Sequence, residues 1–161
     1  GAIESFSLRA LAATPPWARR RGRPGVQFFF PRPSSGSGCK RINLFLRWMV
    51  RRDAVDLGVW RAIPPSKLVI PLDTHVIRVG QCLGLTRYRT PGWRMAAEIT
   101  RSLRQCDPAD PVKYDFALCR LGMSGECRFG RPRALRSCRF AGRCREGAPP
   151  EPLRPGSAGA T

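Results

Sequence analysis

Apolar residues recur at helical spacing in the central part of the chain. In the first such segment, one stripe of apolar side chains follows the spacing of a single buried helix face, and the polar and basic residues lie off it. No segment alternates between apolar and polar residues as a half-buried strand would, so the pattern predicts an all-α domain. The apolar stripe consists of Ile42, Phe45, Leu46, Met49 and Val50, and the residues off it are Lys40, Arg41, Asn43, Arg47 and Arg51.

Capping signals predict where three further helices begin. Asp73 is a residue type that favours the N-cap, and Gly84 marks the end of the helix that follows it. Thr90-Pro91 and Asp110-Pro111 each combine a cap with a proline at the first helical position. The predicted buried residues are Val76, Val79 and Leu83 in the second helix, Met95, Ile99 and Leu103 in the third, and Tyr114, Ala117, Leu118 and Leu121 in the fourth.

Composition divides the chain into four parts. Residues 1–33 are basic and rich in proline, which predicts a poorly structured segment, whereas residues 34–126 carry the helical pattern. Residues 127–145 contain seven arginines, three cysteines and no acidic residue, which predicts a Cys/Arg-rich loop. Residues 146–161 are mostly Pro, Gly, Ala and Ser, which predicts a disordered tail.

The net charge of +18 favours a polyanionic partner such as DNA. Only three of the 29 basic residues are lysines, and a GC-rich coding sequence would also produce this excess of arginine. No apolar run reaches the ~18 residues of a membrane span and no signal peptide is recognisable, so we expect a cytoplasmic protein that does not contact a membrane. Nothing in the pattern predicts an oligomeric state.

A Gly-x-Gly turn, Gly36-Ser37-Gly38, stands directly before the first helix. Glycine lets the backbone approach a phosphate closely, and the N–H groups at a helix start favour an anion. A turn that only joins two segments has the same sequence pattern, so both interpretations remain open.

The segment Leu72-Asp-Thr-His-Val-Ile-Arg-Val79 supplies the context for this turn. Together they resemble the endonuclease-III-like, helix-hairpin-helix (HhH-GPD) DNA glycosylases: Gly36, Gly38, Lys40 and Asn43 match the hairpin, and Asp73, Thr74, His75, Arg78 and Val79 match the stretch with the essential Asp. Three longer strings resemble an uncharacterised bacterial protein family that is distantly similar to that superfamily. These strings are CKRINLFLRWMVRRD, IPPSKLVIPLDTH and DPVKYDFALCRLG, and the resemblance spans residues 34–127.

The resemblance implies a helix-hairpin-helix glycosylase-like domain, incomplete and with irregular basic ends, that acts in base-excision repair on a nucleotide flipped out of the DNA. It implies that Lys40 is a Schiff-base nucleophile at C1′ of the sugar and that Asp73 is its acidic partner. Lys40 as a phosphate contact, Asp73 as an N-cap and His75 as a packing residue are the structural alternatives. The residues assigned to DNA binding are Gly36, Gly38, Arg41, Asn43 and Arg78.

The chain departs from the family pattern in three places. Pro31 and Pro33 break the segment just before Gly36, where the first helix of the hairpin is expected. Lys40 and Asp73 lie farther apart than is usual, which makes residues 53–70 an insertion whose Trp60, like Trp48, we expect to serve packing rather than base stacking. The N-terminal helices that complete the two-lobed fold are not recognisable in residues 1–33. A non-catalytic nucleic-acid-binding module and a truncated family member are therefore alternative interpretations.

The terminal cysteines raise the question of a cofactor. Members of the resembled superfamily often hold a [4Fe–4S] cluster with four cysteines spaced C-x6-C-x2-C-x5-C. Cys127, Cys138 and Cys144 give C-x10-C-x5-C, in which the second ligand is missing. The resemblance therefore implies a possible [4Fe–4S] cluster with an incomplete ligand set, and free thiols are the alternative.

Overall fold

The computed structural model describes residues 1–15 and 25–125, and their regular structure is helical. Short 3-10 helices occupy Pro33–Ser35, Pro65–Lys67 and Pro111–Tyr114. Strand pairing in the described residues is limited to one isolated antiparallel bridge, between Arg52 and Leu57. The prediction of an all-α chain is confirmed for this part. The α-helices are α1 (Ala2–Ala12), α2 (Gly25–Phe29), α3 (Lys40–Val50), α4 (Thr74–Cys82), α5 (Trp93–Cys106) and α6 (Asp115–Met123).

The predictions for residues 127–145 and 146–161 fall outside the described part of the chain. Among the helices that are described, none has the length and apolar composition that crossing a membrane requires.

The main hydrophobic core lies between α4 and α5 and is closed by α6. Five side chains predicted to be buried, those of Val76, Val79, Met95, Ile99 and Leu103, are at most 5% exposed. The segment before α4 completes this core, because Ile70 and Leu72 pack into it. The one-sided apolar stripes of α4 and α5 thus predicted the core correctly. Its buried members are Ile70, Leu72, Val76, Ile77, Val79, Met95, Ala96, Ile99, Leu103 and Leu118.

Both ends of α4 agree with the sequence signals. Asp73 is the N-cap, and its Oδ1 accepts a hydrogen bond of 2.6 Å from the Val76 backbone N–H. At the other end Gly84 adopts a φ of +70°, and the Leu85 N–H reaches back to the Gly80 carbonyl. This left-handed glycine satisfies carbonyl groups that would otherwise lack a partner at the helix end.

The predicted starts of the last two helices need correction. The helix α5 begins at Trp93 after Gly92, which provides no side-chain cap, so Thr90-Pro91 lies before the helix. Asp110 provides no cap either, because its carboxylate accepts hydrogen bonds from Arg51 Nε. Pro111 begins a 3-10 turn, and the α-helix itself starts at Asp115.

The predicted orientation of α3 is wrong in part. Asn43, Arg47 and the adjacent Arg51 are buried, although they lie off the apolar stripe, whereas Phe45 in the stripe is 46% exposed. Burial of an arginine is costly unless its charge is paired. The helix can turn this polar face inward because carboxylates from three other segments meet it there.

These carboxylates form a buried ion network with the two arginines. Arg47 Nε donates to both Asp56 oxygens at 3.1 Å, and Arg47 Nη1 also pairs with Asp115. Arg51 pairs with Asp110 and Asp53, each at 2.8 Å, and with Asp56. The network ties α3 to the predicted insertion, to the 3-10 turn before α6 and to α6 itself.

The N-terminal segment also differs from expectation, because α1 lies within residues 1–33. Both Glu4 carboxylate oxygens accept hydrogen bonds from Ser34, one from its N–H at 3.0 Å and one from its hydroxyl at 2.7 Å. The buried Ser7 donates to the Pro31 carbonyl at 2.9 Å. These contacts attach α1 to the segment that leads into the Gly-x-Gly turn, so residues 2–12 are ordered by tertiary contact.

Candidate functional site

The Gly-x-Gly turn has the tight geometry that its sequence predicts. Gly36 has a φ of +81°, and Cys39, just before α3, has the unusual φ of +48° for a residue with a side chain. The Asn43 amide nitrogen donates to the Gly38 carbonyl at 3.0 Å, and the Cys39 N–H donates to the Ser37 hydroxyl at 3.2 Å. These bonds fix the backbone that leads into Lys40.

Two other segments of the chain hold this turn in place. The Trp93 N–H at the start of α5 donates to the Gly36 carbonyl at 3.2 Å, and a Cβ on Gly92 would lie only 2.7 Å from that oxygen. On the other side, a Cβ on Gly38 would lie 3.2 Å from Leu72 Cδ1. Because Leu72 immediately precedes Asp73, this contact brings the glycine turn next to the start of α4.

The Asp73 carboxylate has two partners of different kinds. One oxygen caps α4 through the Val76 N–H, and Oδ2 accepts a hydrogen bond of 3.1 Å from Cys119 Sγ on α6. Burial, the hydrogen bond to Asp73 and the nearby negative charges raise the pKa of Cys119 to about 11. At neutral pH Cys119 is therefore a thiol that donates to the carboxylate and is a poor nucleophile.

Lys40 is exposed at the first position of α3, and its positive charge acts on the Cys119 thiol. The positive charge of Lys40 opposes the increase in the pKa of Cys119, whose thiol is hydrogen-bonded to Asp73. The contact between Gly38 and Leu72 also sets the turn that leads into Lys40 beside the residue that precedes Asp73. The segments that carry the two residues predicted to be catalytic therefore lie next to each other, and the catalytic roles of these residues stay a prediction.

Asp115 connects this site to the buried ion network. It lies one helical turn before Cys119 on α6 and pairs with Arg47. Burial is the main cause that raises the pKa of Asp115 to about 6; Arg47 opposes the increase, and the negative charges of Asp73 and Asp56 add to it. The candidate site thus consists of Lys40, Asp73, Asp115 and Cys119, with Arg47 beneath it.

The comparison with known families concerns nearly all of the described chain. The model of a family of proteins of unknown function, DUF2400, matches residues 2–124, from the start of α1 to just beyond α6. The chain belongs to the DUF2400 family. No curated protein and no solved structure shows significant similarity to it. The expectation of an uncharacterised family is confirmed, and the link to DNA glycosylases stays a hypothesis.

The residues assigned to DNA binding occupy different environments in this DUF2400 chain. Gly36 and Arg41 are exposed, and the Arg41 guanidinium lies 3.8 Å from the centre of the Phe28 ring. Asn43 is 1% exposed and bonds to the turn, so we revise its predicted role to a brace beneath the surface. Gly38 is half-buried in the turn, and Arg78 is half-buried on α4.

His75 lies against α6, as expected for a packing residue. A Cβ on Gly122 would lie 2.6 Å from His75 Cβ, so this glycine is what permits the close approach of α4 and α6. His75 Nδ1 is buried and has no hydrogen-bond partner among the described residues. These contacts support the packing interpretation of His75 over an acid–base role.

Sequence reasoning missed the two α6 residues of the site. Asp115 and Cys119 are four positions apart and therefore share one helix face, which points at Asp73. The predicted buried stripe instead included Ala117, which is exposed. The spacing of a carboxylate and a thiol at i, i+4 could have shown that they share a helix face, but nothing in the sequence indicates that this face packs against Asp73.

The predicted metal ligands Cys127, Cys138 and Cys144 lie outside the described residues. Within residues 1–15 and 25–125, no group of three or more His, Cys, Asp or Glu side chains could hold a metal ion. No disulfide joins the cysteines in these ranges: Cys39 is buried, Cys82 and Cys119 are half-buried, and Cys106 is exposed. The [4Fe–4S] cluster accordingly remains a prediction about the C-terminal part.

Proposed function

We propose that this DUF2400 chain binds DNA and acts on abasic or damaged nucleotides, with Lys40 as the nucleophile and Asp73 as its acidic partner. The observation that carries the proposal is the contact between Gly38 and Leu72, which sets the glycine turn before the exposed Lys40 next to the segment that begins with the fixed carboxylate of Asp73. Sequence resemblance to the HhH-GPD glycosylases suggests the substrate class. The net charge of +18 supports a polyanionic ligand.

The proposed chemistry starts at the aldehyde carbon C1′ of an abasic sugar. The neutral Lys40 amine adds to C1′, and loss of water gives a Schiff base between Nζ and C1′. Removal of a proton from C2′ then lets the C3′–O bond break, which cuts the strand and releases a phosphate end. The proposed role of Asp73 is to stabilise the positive charge that develops on the imine and to accept or return protons.

The structure supports the roles of the surrounding groups in this proposal. The hydrogen bonds from Val76 and Cys119 hold the Asp73 carboxylate in one orientation without neutralising it by a cation. The first turn of α3 contains no acidic residue, and its N–H groups together with Lys40 and Arg41 favour a DNA phosphate there. Backbone contact and sugar chemistry would thus use adjacent parts of one surface.

A non-catalytic DNA-binding module is the second candidate function. Lys40 is exposed rather than buried, and a solvated lysine at a helix start is well suited to a phosphate contact. In that case Lys40 and the turn would bind the backbone, and Asp73 would serve as the N-cap of α4 alone.

Borohydride trapping separates these two functions. The chain contains only three lysines, so a covalent adduct with an abasic-site oligonucleotide can be assigned to Lys40, Lys67 or Lys113 by peptide mass spectrometry. We expect an adduct at Lys40 that is lost in Lys40→Gln and retained in Lys67→Gln, a matched change at another exposed lysine.

Two further results decide the outcome. Asp73→Asn keeps an N-cap side chain, so we expect it to bind abasic DNA normally but to form the adduct at least about tenfold more slowly. Wild-type protein that binds abasic DNA without forming any adduct would overturn the catalytic function. If Lys40→Gln then weakens binding and lowers the salt dependence by about one phosphate contact, the binding module is supported.

A further inference from the structure

The outer face of α3 carries aromatic and arginine side chains in one continuous row. Arg41, Phe45 and Trp48 are spaced four and three positions apart within α3, which places them on the same side of the helix axis, and the exposed Arg52 follows just beyond the end of the helix at Val50. Phe45 is 46% and Trp48 42% exposed. Large aromatic side chains on the solvent face of a helix leave much apolar surface uncovered, and such surfaces commonly mark binding sites.

The predicted insertion adds a third aromatic ring to this row. The N–H groups of Leu57 and Gly58 donate to the Trp48 carbonyl at 2.9 and 3.0 Å, and the Trp60 N–H donates to the Met49 carbonyl at 2.7 Å. These bonds fix the insertion against the end of α3 and place Trp60 edge-to-face with Phe45, with ring centroids 5.5 Å apart. Trp60 itself remains 40% exposed, so the packing predicted for Trp48 and Trp60 leaves much of both rings uncovered.

At the other end of the row, α2 contributes Phe28. This ring is 56% exposed and stacks with the Arg41 guanidinium. We call the set Phe28, Arg41, Phe45, Trp48, Arg52 and Trp60 the aromatic stripe. It runs from α2 along α3 to the insertion.

The charges on the aromatic stripe indicate what could cover it. Arg41 and Arg52 are exposed and form no ion pair with any described residue, and the exposed Arg61 follows Trp60 directly. The acidic neighbours Asp53 and Asp56 are already engaged by Arg47 and Arg51. The surface therefore has unneutralised positive charge, which disfavours a second copy of the chain and favours an anion.

We propose that the aromatic stripe binds single-stranded nucleic acid, with unpaired bases stacked on Phe45, Trp48 and Trp60 and with Arg41 and Arg52 at the phosphates. Exposed rings flanked by arginines are the combination that binds unpaired strands without sequence preference. Paired bases in a duplex do not expose their faces, so the aromatic stripe discriminates against duplex DNA. This binding goes beyond the proposed reaction: it shares Arg41 and the ligand class with that reaction but uses neither Lys40 nor Asp73.

Fluorescence anisotropy with an undamaged, labelled oligothymidylate tests this proposal in the full chain. We expect Trp60→Ala to raise the Kd for the single strand by about tenfold and to change the Kd for a duplex much less. Trp60→Phe, which keeps a stacking face, should restore most of the affinity. The matched control is Phe116→Ala on α6, an aromatic residue 47% exposed with Arg120 beside its ring.

The proposal is overturned if Trp60→Ala and Phe116→Ala bind the single strand equally well with unchanged thermal unfolding. It is also overturned if Trp60→Ala abolishes self-association in sedimentation experiments without affecting oligonucleotide binding, because the aromatic stripe would then be a contact between copies. Failure here is distinguishable from failure of the proposed function. Loss of the borohydride adduct tests Lys40, whereas undamaged oligothymidylate offers no aldehyde to trap.

Discussion

The two ends of α3 treat their positive charges in opposite ways. At the first turn, Lys40 and Arg41 are exposed beside a glycine turn, and no acidic residue lies in that turn. At the last turn, Arg47 and Arg51 are less than 10% exposed, and their guanidinium groups pair with carboxylates from three other segments. The same helix thus carries solvent-facing cations at one end and fully paired cations at the other.

This difference separates charges that hold the fold together from charges that are available to a ligand. A buried arginine whose partners are aspartates offers nothing to DNA, although it contributes to the same net charge. The exposed lysine and arginine at the first turn, and Arg52 beyond the last, have no such partners among the described residues. Net charge alone therefore overstates the cationic surface of this chain.

The strongest test of the comparison is removal of a paired arginine. We expect Arg47→Met to lower the free energy of unfolding by about 3–5 kcal/mol, because Asp56 and Asp115 would lose a buried counter-ion. Arg41→Met, at the exposed end, should change it by less than about 0.5 kcal/mol. Urea denaturation of both variants measures the difference, and equal effects would show that the two ends of α3 are not distinct.

The titration of Asp115 should change the free energy of unfolding by a smaller amount, and it should lower stability as the pH rises. An increase of its pKa from 3.8 to about 6 means that the folded protein holds this proton more tightly than the unfolded chain does. The stabilisation is complete below pH 4 and is lost as the pH rises towards 6, a change of about 3 kcal/mol. The groups that face Asp115 are Arg47, Asp56 and Asp73.

This prediction is tested by comparison with Asp115→Asn, which cannot titrate. The stability of wild type relative to this variant should fall between pH 4 and pH 7 in urea denaturation. Asp53 is a control for which the pKa shift has the opposite sign, because hydrogen bonds from the Val55 and Asp56 N–H groups lower its pKa. Its contribution to stability is therefore lost as the pH falls rather than as the pH rises. Relative to Asp53→Asn, wild type should therefore show no change above pH 4, and a parallel change in both comparisons would contradict the assignment.

Capping by Asp73 gives the smallest effect. Asp73→Ala removes the cap of α4 and should cost about 1 kcal/mol, whereas Asp73→Asn should cost only a few tenths because asparagine caps nearly as well. Denaturation of the two variants, combined with the trapping experiment, distinguishes the cap from the chemistry. If both variants are equally unstable, the carboxylate charge itself stabilises the fold through Cys119.

These contrasts also explain how far the sequence could predict the structure. The helices α4 and α5 were predictable because their buried faces are apolar throughout and because Asp73 caps locally. The burial of Arg47 was not predictable, because its partner Asp115 lies 68 positions away and no local sequence pattern shows that an arginine is paired. A hydrophobic pattern places arginine in solvent, so the predicted buried face of α3 included Phe45 and excluded Arg47, which is the reverse of the structure.

The candidate site was predictable to a similar extent. Motif resemblance selected Lys40 and Asp73, and the contact between Gly38 and Leu72 sets the segments that carry these two residues side by side. Cys119 could not be assigned, because its hydrogen bond to Asp73 depends on the packing of α6 against α4. The helix α1 was missed for another reason, since the prolines of residues 15–33 dominated the average composition of the segment.

The contact between Gly36 and Gly92 has an evolutionary consequence. With 2.7 Å between the Gly36 oxygen and the position a Cβ would take on Gly92, the loop before α3 and the start of α5 are not free to diverge independently. Relatives that carry a side chain at the second position would need a displaced loop at the first. Paired substitutions at these two positions would therefore trace which DUF2400 lineages have kept this arrangement and which have reshaped it.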